Sequence, residues 1–81
     1  MYIAIGKEKW IDSGDLIGIF DLDITSQSHL TRKFLRDAEK SGCVVNTAED
    51  IPKSFAVCRE GKKRVVYLCQ TATATLAKRI Q

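Results

Sequence analysis

The side chains able to do chemistry in this chain are mostly cations. Arg32, Lys33, Arg36 and Lys40 lie within one segment, Ser26 to Gly42, which reads SQSHLTRKFLRDAEKSG. At about 100° per residue they gather with His29 on one helix face, opposite Leu30, Phe34, Leu35 and Ala38. The apolar face needs a core, and the cationic face needs water or an anion. Lys53 stands in a later loop, and Arg59, Lys62, Lys63 and Arg64 surround Glu60-Gly61. Such groups neutralise phosphates, and each phosphate neutralised adds about one unit to the salt dependence of binding. Solvated helices and hairpin tips carry the same residue types, and Asp37, Glu39 and Glu60 interrupt the basic stretches. The formal net charge is +3, so the distribution of charge matters more than its sum.

Other chemistry has less to work with. The one histidine, His29, sits among hydroxyl residues at a helix start and reads as an exposed helix residue. Asp21-Leu22-Asp23 places two carboxylates at i and i+2, which with other oxygen ligands could bridge a divalent cation. The plainer reading is a strand end before a helix, whose amino terminus favours acids. Cys43, Cys58 and Cys69 form no C-x-x-C pair, and with His29 they show no zinc spacing. Each lies in an apolar run and reads as a buried, reduced thiol of a cytosolic protein. Gly14 and Gly18 do not form a phosphate-cradling loop. The expectation is a protein that is not an enzyme and that carries no metal or cofactor.

The elements that must position the cations follow from the hydrophobic pattern. Tyr2 to Ile5 and Trp10-Ile11 read as short strands around a Gly6 to Lys9 turn, and Asp12-Ser13-Gly14-Asp15 as a second turn. Leu16 to Leu22 reads as a strand, with Leu16, Gly18, Phe20 and Leu22 on one face and Ile17 and Ile19 on the other. Both faces are apolar, so it should be covered on both sides. Gly18 marks a bulge or a close backbone approach. The main helix, about 27–41, has Thr25, Ser26 and Ser28 as alternative caps and Gly42 as its stop. Cys43 to Asn46 reads as a short strand and Thr47 to Lys53 as a loop with the one proline. Ser54 to Arg59 and Arg64 to Gln70 read as a hairpin, and Thr73 or Thr75 as the cap of a short helix through Arg79. The order β-β-β-α-β-β-β-α predicts an α+β fold: a small, mostly antiparallel or mixed sheet with one main helix and a short C-terminal one.

Eighty-one residues make one domain, whose single core supplies about 3–5 kcal/mol. Hydrophobic residues at 44% suffice for a folded core and argue against disorder. The longest apolar run, Leu16 to Phe20, is far shorter than the ~20 residues of a membrane span. No basic region precedes Tyr2 to Ile5, so no signal peptide is expected, and the expected location is cytoplasmic. One helix cannot cover two apolar sheet faces, so the remaining apolar surface must pack on itself or on another subunit, which points to a homo-oligomer.

Several blocks together resemble a known family. They are Met1-Tyr2-Ile3, Gly6, Asp15-Leu16-Ile17-Gly18-Ile19-Phe20-Asp21, Phe34-Leu35, Pro52-Lys53-Ser54, Tyr67 and Thr75-Leu76-Ala77-Lys78-Arg79. In this order and spacing they resemble the bacterial extracellular matrix regulators of the RemA/RemB family, the RemB branch above all, over nearly the whole chain. The resemblance implies a small cytosolic DNA-binding regulator of biofilm-matrix genes. It also implies self-assembly, since the RemA branch is described as ring-forming. Two positions depart. Glu49-Asp50-Ile51-Pro52-Lys53 has two acids and one base where RemA-type proteins carry adjacent arginines, and Asp15 stands where they carry an arginine. Arg32 and Lys33 match a basic pair on the family's helix.

Two functional readings result. In the first, a homo-oligomer binds double-stranded DNA through backbone phosphates, using Lys53, Arg32 and Lys33, with Lys62, Lys63 and Arg64 as auxiliary contacts. In the second, the same scaffold is a protein-interaction module that partners another regulator, with Asp15, Glu49 and Asp50 facing a basic surface.

Overall fold

The computed structural model describes residues 1–6, 9–22 and 28–80, and at Ile80 the backbone only. Asp23, Thr25, Ser26 and Gln27, named above as ligand, caps and helix start, lie outside the described residues.

Two central strands carry the fold. β5 (Ser54–Glu60) and β6 (Lys63–Cys69) form a hairpin around Gly61-Lys62. Gly61 takes φ +64°, the positive value that suits a tight hairpin turn. Their neighbours are β3 (Leu16–Asp21) and β4 (Val44–Asn46), in the order β3-β5-β6-β4. β3 and β6 run antiparallel to β5, and β4 runs parallel to β6. A separate antiparallel pair, β1 (Tyr2–Ala4) and β2 (Trp10–Asp12), precedes them. A 3-10 turn, Ser13–Asp15, leads into β3, with the Asp12 carboxylate accepting from the Gly14 N–H at 2.9 Å. The helices are α1 (His29–Lys40) and α2 (Thr73–Ile80). This is the α+β fold that the pattern predicts. Among the described residues no helix is long and apolar enough to cross a membrane.

Strand alternation gives the central sheet two apolar faces. On one, Ala56, Cys58, Tyr67 and Cys69 pack against Ile3, Ile5, Ile11 and Leu76. The β1–β2 pair and α2 therefore cover this face, so here the apolar surface packs on the chain itself, one of the two outcomes expected. On the other, Phe55, Val57 and Val66 pack against Leu22, Leu35, Ala38, Val44 and Leu68. Here the cover is incomplete. Thr31, Leu35 and Ala38 are half-buried, but Leu30 is 75% exposed and Phe34 37%. The helix sits on the side of its apolar arc that Leu35 marks, so Leu30 and Phe34 are not core residues as expected.

β3 departs from plain alternation. Its register with β5 shifts between Leu16 and Gly18, leaving Ile17 as an extra residue. Leu16 and Ile19 therefore both pack on the first core, instead of facing opposite ways. Ile17 and Phe20 remain 51% and 40% exposed, so β3 is not covered on both sides. Gly18 has a concrete role: a Cβ there would lie 3.0 Å from the Phe20 ring, which stacks on Phe55 at 5.1 Å.

α1 ends in a Schellman pattern. The Gly42 N–H donates to Glu39 O and the Cys43 N–H to Ala38 O, with Gly42 at φ +71°. Ser28 holds the extended N-cap conformation without a side-chain capping bond. At α2 neither threonine caps. The Thr75 and Leu76 N–H groups both donate to Ala72 O, so the helix opens on Ala72, and the Thr73 hydroxyl is buried without a partner. Cys58 and Cys69 are buried thiols as expected, but Cys43 is only half-buried.

Candidate nucleic-acid interface

Six cations were singled out by sequence, and all six side chains are exposed: Arg32, Lys33, Lys53, Lys62, Lys63 and Arg64. The single ion pair among the described residues that meets a 4 Å limit joins the Met1 amino group to Asp12. None of the six therefore has a carboxylate partner among the described residues. Arg32 and Lys33 lie on the outward face of α1 with Arg36 and Lys40, because Leu35 and Ala38 turn the opposite side to the sheet.

Lys53 belongs to a different place. Its N–H donates to Cys69 O at 2.8 Å and its carbonyl accepts from the Leu22 N–H at 3.0 Å, which pins the backbone at the start of β5. Lys62 and Lys63 lie at the other end of that strand. Seven residues separate the two ends, about 20 Å at ~3.3 Å per residue. The structure thus does not gather the six cations into one cluster. Within the hairpin, Lys63 shares the face of Val65 and Tyr67, while Arg64 shares the opposite face with Val66. Arg64 lines an open apolar groove of about 320 Å³ with Ile17, Phe20, Leu30, Phe34 and Phe55.

The hairpin register reveals a feature the sequence reading missed. Arg59 and Arg64 are direct cross-strand partners, an arrangement that costs free energy for like charges. The signal was available: a two-residue turn at Gly61-Lys62 fixes Glu60 opposite Lys63 and so Arg59 opposite Arg64. Glu60 does not relieve the pair. It lies on the other face and accepts a hydrogen bond from the Tyr67 hydroxyl.

The buried groups are poor reagents. Burial, with the nearby Glu60 charge adding to it, pushes the Cys58 thiol up to about 11, and burial raises Cys69 as well. Burial, then the bond to Glu60, raises the Tyr67 hydroxyl. A thiol held protonated is neither nucleophile nor metal ligand. His29 is exposed at the first position of α1, and among the described residues no group of His, Cys, Asp or Glu is placed to hold a metal ion. No family model and no curated protein matches the chain.

Proposed function

We propose that the protein is a small homo-oligomeric DNA-binding regulator of the RemA/RemB type, acting on extracellular matrix genes and holding DNA through its phosphates. One observation carries this reading: Arg32, Lys33, Lys53, Lys62 and Lys63 are exposed and have no carboxylate partner among the described residues. Cations already paired would have to break a contact to meet a phosphate, and these do not. Arg32 and Lys33 with Lys53 form the main contacts, and Lys62 and Lys63 support them. Their dispersal suits a repeating assembly, in which modest charge on each subunit adds up along a duplex. Phosphate contacts carry no base information, so sequence preference in this reading comes from DNA shape and subunit spacing.

The test is a titration of mixed-sequence duplex at several salt concentrations. Binding that weakens steeply with salt is expected, with a log–log slope of about −0.9 per phosphate engaged. Arg32→Glu combined with Lys53→Glu should remove binding while the assembly keeps its mass. Unchanged affinity in that double variant would overturn the assignment. No binding by the parent at low salt would favour the module that partners another regulator.

A further inference from the structure

The apolar groove and the Arg59–Arg64 pair form one surface. Phe55, Val57 and Arg59 occupy alternate positions along β5, so the arginine pair stands at one end of the groove floor. Leu30 and Phe34 overhang the groove from α1, and Ile17 and Phe20 border it from β3. No carboxylate among the described residues comes within ion-pair distance of either arginine. Asp37 lines an adjoining hollow with Phe34 and Arg64, still without pairing. The surface therefore calls for an occupant with an apolar side chain and an acid beside it.

The same chain presents that combination at the far end of its sheet. Asp50 and Ile51 are both exposed in the loop before β5, and Ile51 is 77% exposed, the most of any large apolar side chain among the described residues. The loop is held at both shoulders. The Thr47 hydroxyl donates to Leu68 O at 2.7 Å, the Ala48 N–H to Asn46 Oδ1 at 2.9 Å, and the Lys53 N–H to Cys69 O at 2.8 Å. Pro52 restricts Ile51 to extended backbone. A loop fixed in this way loses little conformational freedom on docking.

We infer that the groove receives the Asp50-Ile51 loop of a second copy of this chain, with Ile51 among Phe20, Phe34 and Phe55 and Asp50 against Arg59 and Arg64. Donor loop and the arginine end of the groove lie at opposite ends of β5, and the two are different surfaces, so the contact is heterologous and each copy can both give and receive. This rests on the homo-oligomer reading above and assigns its contact surfaces. It also gives Asp50, one of the two acids of this loop, a role that does not involve DNA.

The experiment is a charge exchange read as mass by gel filtration with light scattering. The parent is expected above monomer mass. Arg59→Glu alone, or Asp50→Arg alone, should reduce it to monomer, and the double variant Arg59→Glu/Asp50→Arg should restore the parent's mass. Ile51→Asp, at an exposed site, should also give monomer and checks the same contact if a single arginine variant loses its circular dichroism spectrum. A parent assembly that survives the single variants, or a double variant that stays monomeric, overturns the assigned surfaces and leaves self-assembly standing. A parent that is monomeric at every concentration overturns both.

Discussion

Among the glycines, Gly6 is the one whose lack of a side chain the fold requires most tightly. A Cβ at this position would lie 2.6 Å from both Cβ and Oγ1 of Thr47. Thr47 cannot easily retreat, because its hydroxyl is committed to Leu68 O and its N–H to the same carbonyl at 2.9 Å. The two residues tie the turn after β1 to the loop after β4, far apart in sequence. Gly6→Ala should therefore cost about 1–3 kcal/mol, the range of an overpacked site. Urea denaturation would show this as a lower midpoint with an unchanged slope. The glycine looked like ordinary turn punctuation in the sequence, since nothing local identifies its long-range neighbour.

At the scale of elements, α1 is docked through half of its apolar surface. Leu35 and Ala38 reach the sheet beside β4 and β6, while Leu30 and Phe34 stand over the groove. Leu35→Ala should destabilise the fold by about 1–2 kcal/mol, less than a fully buried leucine because the site is half open. Leu30→Ala should fall within about 0.5 kcal/mol in the monomer. Thermal melts at concentrations too low for assembly would separate the two. The element order was legible because period-2 apolar runs, Gly42, Gly61 and the turn clusters all act locally. The bulge at Ile17, the parallel pairing of β4 with β6 and the tilt of α1 were not, because each is decided by partners distant in the chain. The same limit applies to the candidate interface. The exposure of Arg32, Lys33 and Lys53 followed from residue type, but their separation, and the opposite facing of Lys63 and Arg64, came from topology and register.

For the molecule as a whole, the first core contains three protonated groups that resist ionisation. Cys58, Cys69 and Tyr67 all carry raised pKa values, with burial the leading cause for each. A group whose folded pKa is raised stabilises the fold fully below its unfolded value and loses that contribution as pH climbs through the folded one. For Cys58 the window runs from its ordinary value of 9.0 to about 11. Stability should thus hold through neutral pH and fall from pH 9 upward, which melting temperatures across that range would record. Cys58→Ala should make that decline shallower, since it removes one of the three contributors.

The extra residue in β3 has a further consequence, for what the chain avoids. β3 is an outer strand of the four-stranded sheet, and its sequence LIGIFD is rich in strand-forming, uncharged residues. A straight edge of that composition is a template for cross-β stacking by other chains. By crowding two residues opposite one at Leu16 to Gly18, the bulge breaks the even row of N–H and C=O groups such stacking needs. Ile17 costs the fold an exposed apolar side chain, and in return an outer strand rich in strand-forming residues presents an uneven edge to other copies.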